Sequence, residues 1–108
     1  MQADPGAALV DAVHDALREL IAGMMGAATG RSSPAPHVSF FALGASDAHA
    51  LELAEILSAV FGLDLAADTV MRSPTPDALA RSVETAWYEG GGSVEELADR
   101  LTALADDD

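Results

Sequence analysis

Cysteine is absent from the 108 residues of this chain, and basic and aromatic residues are scarce. The absence of cysteine excludes disulfides, thiolate metal sites and cysteine nucleophiles. Aromatic residues make up 5% of the chain although half of it is hydrophobic. Because strands draw on β-branched and aromatic side chains, an alanine-rich composition of this kind favours closely packed helices. The length is that of a single domain.

The second scarcity is positive charge, since five basic residues stand against 18 acidic ones, a formal net charge of −13. Such a surface repels phosphate backbones and anionic lipid headgroups, which argues against nucleic-acid and membrane-surface binding. The negative charge suits binding to partners with basic patches. Alternatively, it only keeps the protein surface solvated. No stretch approaches the ~20 apolar residues of a membrane span, and the start of the chain lacks the pattern of a signal peptide. We therefore expect a cytoplasmic protein.

The apolar residues recur at helical spacing. This spacing predicts an amphipathic helix over residues 7–25, which ends near Gly26. Residues 26–39, rich in Gly, Ser and Pro, predict a long loop. A second helix is expected over residues 47–61, with Gly62 as its C-cap. Its apolar stripe is expected to consist of Leu53, Ile56, Leu57 and Val60.

The C-terminal half predicts three shorter helical segments. Residues 63–71 indicate a loop and one short helical turn. Thr75 and Pro76 are typical of an N-cap and first helical position, so the next helix begins there. Ser93 and Glu96 have capping-box spacing before a last amphipathic helix. No strand-like alternation occurs, so the predicted fold class is all-α.

Few residues suggest catalysis or metal binding. Ser46, Asp47 and His49 are close in sequence, but successive side chains on a helix diverge by about 100°. We therefore expect that they do not line up as nucleophile, base and orienting group. No pair of histidines has the four-residue spacing of a zinc-binding helix. The chain is expected to be neither an enzyme nor a metal protein.

Residues 40–80, FFALGASDAHALELAEILSAVFGLDLAADTVMRSPTPDALA, resemble the acyl and peptidyl carrier proteins of fatty-acid, polyketide and nonribosomal-peptide assembly lines. Those proteins share the pattern FFxLGxDSLxAxxL, then a helix ending in FG and a Pro-Thr pair. The resemblance implies a four-helix carrier-protein bundle with a long loop between the first two helices. To this bundle, residues 1–89, the chain adds residues 90–108, a glycine hinge and a short amphipathic helix with an acidic tail.

In that family the serine at the start of the second helix bears 4′-phosphopantetheine, and the carrier itself catalyses nothing. Aligned on Gly44 and Ala50, this serine falls on Asp47, and Ser46 falls on the residue before it. A carboxylate cannot hold the arm in a stable phosphodiester. We therefore expect no cofactor, with Ser46 as a helix cap whose oxygen accepts from an amide of the helix. The alternative is a working carrier that tethers a thioester on 4′-phosphopantetheine at Ser46.

The resemblance also implies a function through protein contacts in a polyketide or nonribosomal-peptide type pathway. The expected partners are assembly-line enzymes or other carrier domains, and the expected contact residues are Asp47, Ala48, Glu52, Glu55 and Met71. The last helix either docks on a partner or a second copy, or packs back on the bundle. A third interpretation, an unrelated helical interaction protein, predicts that the long loop is missing.

Overall fold

Residues 5–106 of a computed structural model form five α-helices and one 3₁₀ helix, and this range contains no strand. The structure describes that range, and it describes side chains for residues 7–105. The elements are α1 (Pro5–Thr29), the 3₁₀ helix (Phe40–Leu43), α2 (Asp47–Phe61), α3 (Ala67–Arg72), α4 (Pro76–Glu89) and α5 (Val94–Asp106). The predicted all-α fold is confirmed, and a long connection does separate α1 from α2.

Helix α1 runs past Gly26, where the sequence predicted its end. The glycine serves a different purpose, because the chain folds back against it after the helix. The Arg31 amide donates to the Gly26 carbonyl oxygen at 2.8 Å. A Cβ atom on Gly26 would lie 2.8 Å from the Arg31 carbonyl oxygen, closer than real Cβ contacts occur. The turn itself is made by Gly30, whose φ of +69° suits a residue without a side chain.

The predicted helix caps are confirmed for α4 and α5. Thr75 Oγ1 accepts from the Ala78 amide at 3.1 Å, with Pro76 in the first position of α4. At the start of α5, Ser93 Oγ accepts from the Glu96 amide at 3.1 Å, and Glu96 Oε1 accepts from the Ser93 amide at 3.0 Å. These bonds satisfy amides that have no partner inside a helix.

Helix α1 lies at the centre of the molecule, because it packs against α4, α5 and α2, while α2 packs mainly against α3. One continuous core joins all of them. Its large fully buried side chains are Leu17, Ile21, Met25, Phe40, Leu57, Val70, Leu79, Val83 and Leu97. Each such side chain contributes roughly 1.5–3 kcal/mol when it leaves water.

Helix α5 belongs to this same core. Leu97 is fully buried and Leu101 is 9% exposed, both in the cluster that includes Val13 of α1. The indole Nε1 of Trp87 donates to the Ser93 carbonyl oxygen at 2.9 Å, which ties the start of α5 to the end of α4. Of the two alternatives for the last helix, packing back on the bundle is the one observed. The division at residue 90 into two units stays a prediction.

Within residues 5–106, every helix is too short or too polar to cross a membrane.

Candidate modification site at the start of α2

The 3₁₀ helix holds the start of α2 in place. Phe40, fully buried, donates its amide hydrogen to the Pro74 carbonyl oxygen at 2.7 Å. Arg31 Nε donates to the Leu43 carbonyl oxygen at 3.0 Å, which ties the long loop to the same segment. Gly44 ends the 3₁₀ helix with a φ of 94°, the left-handed conformation that glycine adopts without strain. The residues after it are therefore presented from a fixed base.

Ser46 is the N-cap of α2, with φ −107° and ψ 176°, and its side chain is exposed. Ser46 and His49 adopt a capping-box arrangement in which Oγ faces the His49 amide, a contact that falls short of a hydrogen bond. The Oγ atom instead makes its hydrogen bond with Nδ1 of the His49 ring, at 3.0 Å. The predicted N-cap at Ser46 is therefore found, and the hydroxyl makes an additional contact, to the ring of His49, that the sequence did not predict.

His49 is the residue that the sequence interpretation missed. Its Nδ1 also accepts from the Ser46 amide at 2.9 Å, and its ring lies edge-on to Phe40 with centroids 6.4 Å apart. The argument from 100° per residue did not foresee this contact, because Ser46 is an N-cap outside the helix and residues three apart at a helix start are neighbours. The spacing Ser-x-x-His, the same as in a capping box, was the available signal. Asp47 makes no hydrogen bond to this pair, so the three residues do not line up as a triad, as expected.

Asp47 occupies the first helical position of α2 and is exposed. Its carboxylate lies in the favourable field of the helix N-terminus, where unpaired amides leave a partial positive charge. It therefore helps helix initiation and offers no hydroxyl for modification.

The five expected contact residues all lie on the surface. Asp47, Ala48, Glu52, Glu55 and Met71 are exposed on α2 and α3. The structure adds two apolar neighbours, since Leu51 is 50% exposed and Ile56 is 44% exposed. Ile56 had been assigned to the buried stripe of α2, and that prediction was wrong. The outer face of α2 therefore combines carboxylates with unburied aliphatic side chains.

A groove of about 390 Å³ between α1 and α2 borders the site. Met24, Ala27 and Ala28 line it from α1, and His49, Glu52, Leu53 and Ile56 line it from α2. Its α1 side carries no charge. Glu52 and the His49 ring are its polar groups.

A second histidine cluster joins α1 to α4, away from this site. His14 Nε2 lies 2.8 Å from Asp77 Oδ1, and its Nδ1 lies 2.7 Å from Glu84 Oε1. Burial lowers the pKa of His14, but hydrogen bonds to the two carboxylates outweigh it and raise the pKa above the ordinary value. Among the described residues, no group of three or more His, Cys, Asp or Glu side chains is arranged to hold a metal ion.

Comparison with known proteins identifies the kind of site. A family model described as the phosphopantetheine attachment site matches residues 15–83, which is more than half of the chain. The chain belongs to the phosphopantetheine attachment family. The matched range contains the whole long loop, the 3₁₀ helix, α2 and α3. No curated protein matches the chain at a significant level.

Membership of the phosphopantetheine attachment family shows a carrier-protein-like function and corrects the expectation of no cofactor. That expectation was wrong, because the family is one whose members normally carry 4′-phosphopantetheine. Domains of this family present their cargo to other proteins and are not themselves catalysts. The local chemistry fits such a group at one atom, since Ser46 offers an exposed hydroxyl beside the free amides at the start of α2.

Proposed function

We propose that this protein is a carrier that bears 4′-phosphopantetheine on Ser46 and tethers a thioester-linked acyl or aminoacyl group. The observation that carries the proposal is the state of the Ser46 hydroxyl. It is exposed at the start of α2, and its Oγ lies 3.0 Å from Nδ1 of the His49 ring. An exposed serine oxygen at a helix start can be esterified while the helix that follows it stays folded.

Asp47 supports the assignment to Ser46 by elimination. The resemblance places the modified serine of the family on Asp47, and a carboxylate cannot form the phosphodiester. Ser46 supplies the adjacent hydroxyl, about 1.5 Å away along the helix axis. When bound, the arm would supply a terminal thiol for thioester chemistry. This chain would hold the arm at the rigid start of α2.

We further propose that the carrier works in a polyketide or nonribosomal-peptide type pathway in the cytoplasm. Its partners would be assembly-line enzymes and other carrier domains, and the chain itself would not be an enzyme. Asp47, Ala48, Glu52, Glu55 and Met71 would form the contact face, with Leu51 and Ile56 as apolar anchors beside the carboxylates. This mixture suits a basic partner surface with an apolar centre.

Self-association through α5 has less support from the packing. Leu97 and Leu101, the central residues of its apolar stripe, are already buried in the bundle. The outer part of the stripe, with Val94 and Leu104 only partly buried, is what remains for a second copy. We therefore propose that the carrier acts as a monomer.

Intact mass spectrometry tests the proposed function. The purified chain is incubated with coenzyme A and a promiscuous phosphopantetheinyl transferase, and we expect a gain equal to one 4′-phosphopantetheine. The variant Ser46→Ala should show no gain, because it removes the only proposed attachment atom. Asp47→Ala should still be modified, and so should Ser39→Ala, whose hydroxyl caps the 3₁₀ helix.

An unmodified wild-type chain, under conditions that modify a known carrier completely, would overturn the proposal. A gain in mass that persists in Ser46→Ala would overturn the assignment to Ser46. Peptide mapping of the modified chain would then locate the arm.

A further inference from the structure

We propose that His49 is the general base for attachment of the arm, accepting the Ser46 proton through Nδ1; this rests on the proposed modification of Ser46. The contact between Ser46 Oγ and His49 Nδ1, at 3.0 Å, is within the range for direct proton transfer. His49 therefore touches the reacting atom.

The hydrogen-bond pattern decides which way the Ser46 proton points. The Ser46 amide can only donate, and it donates to His49 Nδ1 at 2.9 Å. Nδ1 must then carry a lone pair, so the neutral ring bears its proton on Nε2. With Nδ1 as an acceptor, the Ser46 hydroxyl is the donor in its contact with that atom and shares the single lone pair of Nδ1 with the amide. The hydroxyl hydrogen is thus already directed at a base.

The ring is held in this orientation before any partner arrives. Phe40, which is fully buried, meets the His49 ring edge-on at an interplanar angle of 76°. The hydrogen bond from the Ser46 amide holds the Nδ1 edge of the ring. A base that is oriented in advance avoids the cost of arranging it during the reaction.

The transfer is balanced with coenzyme A as the second reactant. Ser46 Oγ forms a bond to the phosphorus that carries the pantetheine group. The bond from that phosphorus to the bridging pyrophosphate oxygen breaks, and adenosine 3′,5′-bisphosphate leaves with the electron pair. The Oγ proton passes to His49 Nδ1, which becomes an imidazolium and later releases the proton to water.

The groups that border the His49 ring come from α1, α2 and the 3₁₀ helix. Glu52 on α2 is an exposed carboxylate that lines the same groove as the ring, and Asp47 is a second exposed carboxylate on that helix. The residues that face His49 from α1 across the groove, Met24, Ala27 and Ala28, carry no charge. Phe40, from the 3₁₀ helix, carries none either.

The variant His49→Gln tests the role of His49 as a base separately from its role in the capping box. Glutamine at this position keeps the capping-box bond to the Ser46 amide, but it cannot accept a proton. With a promiscuous transferase and coenzyme A, we expect the kcat of modification to fall about 100-fold, the usual lower contribution of a general base. KM should change little. His37→Gln, an exposed histidine in the loop, is the matched control and should react at the wild-type rate.

Three further measurements distinguish a base from a structural role. His49→Glu also keeps the capping box but offers a carboxylate as base, so we expect part of the lost rate to return. Nitrogen NMR of the unmodified chain should show an unprotonated Nδ1. The wild-type rate should rise with pH in step with the His49 titration followed by NMR, and His49→Gln should lose that step.

The outcomes separate this inference from the proposed function. If His49→Gln, with a native NMR spectrum, is modified as fast as the wild type, His49 is not the base, while Ser46 remains the attachment site. If His49→Gln and His49→Glu are equally slow, the imidazole acts by shape and not as a base, and the inference is also overturned. If the wild-type chain is never modified, the proposed function itself fails.

Discussion

At the scale of single residues, the start of α2 depends on a few side chains with unrelated tasks. Ser46 ends the extended segment, Asp47 complements the helix amides, and His49 bonds Ser46 from one turn further on. From the sequence, the position of the N-cap could be predicted, because Ser-Asp before an apolar repeat is a helix-start signal. The destination of the hydroxyl hydrogen bond could not, because it depends on the His49 rotamer.

Gly26 provides a residue-scale prediction that bears on the same site. In Gly26→Ala, the new Cβ would meet backbone atoms of Arg31 and Ser32 at 2.8–2.9 Å, so the loop has to move. We expect a loss of about 1–2 kcal/mol in the free energy of unfolding, because overpacking outweighs the better helix propensity of alanine. Arg31 would shift away from Leu43, whose carbonyl it binds. Urea unfolding measures the change.

Gly23→Ala is the matched control on the same helix. The nearest atom to its new Cβ is Ser33 Oγ, at 3.9 Å, an ordinary contact. We expect the free energy of unfolding to rise by up to about 1 kcal/mol from helix propensity alone. Equal effects of the two substitutions would contradict the close packing of the loop on Gly26.

At the scale of the elements, α2 shows where periodicity succeeds and where it fails. The bounds predicted for α2 agree with the structure, and Gly62 does end it with a φ of 66°. The buried face was only partly predicted. Leu53 and Leu57 are buried as expected, but Ala50 and Ala54 are buried too, while Ile56 is not. Small side chains face the core where α2 packs closely, and hydrophobicity alone does not reveal that.

The exposed carboxylates of α2 give an element-scale prediction. Glu55→Lys reverses one charge on the proposed contact face, so the attraction to a basic transferase surface should weaken. We expect kcat/KM for phosphopantetheine transfer to fall about threefold to tenfold at low salt, mostly through slower association. The difference should shrink at high salt, because screening removes it.

Asp99→Lys on α5 changes the net charge by the same amount at another exposed position. If it lowers kcat/KM as much as Glu55→Lys does, the effect comes from overall charge, and α2 is not the contact face.

At the scale of the whole molecule, α1 joins the N-terminal and C-terminal halves of the chain. Its apolar side supports α4 and α5, and its partly exposed edge carries His14 between Asp77 and Glu84 of α4. Both ring nitrogens meet carboxylates, so the protonated ring satisfies both contacts. The His14 bond, as the largest cause, also lowers the pKa of Asp77.

This cluster predicts how stability depends on pH. The pKa of His14 is raised in the folded state, so its contribution is complete below the unfolded value of 6.5. It is lost as pH rises above that value through the folded pKa. The contribution of Asp77 is present above its unfolded value of 3.8 and is lost as pH falls through its lowered folded pKa. The cluster therefore stabilises the fold most between about pH 4 and 6.5.

His14→Gln tests this by chemical unfolding at several pH values. At pH 5.5 we expect the variant to be less stable by about 1 kcal/mol, a modest value because Asp77 is partly exposed. At pH 9 the difference should be smaller. His37→Gln, an exposed control, should show no such trend. A difference that stays constant from pH 5.5 to 9 would mean that His14 acts by packing and not by charge.

The sequence by itself determined the helices, their caps and the carrier-like arrangement of the chain. These follow from local rules: apolar spacing for the helices, Thr75 and Ser93 for two helix starts, and Gly62 for a helix end. Only the tertiary structure decided that α5 joins the core, that Gly26 receives the returning loop, and that the Ser46 hydroxyl is directed at His49. The reason is physical, since each of these depends on which surfaces meet in space and on one side-chain rotamer, and spacing along the chain records neither.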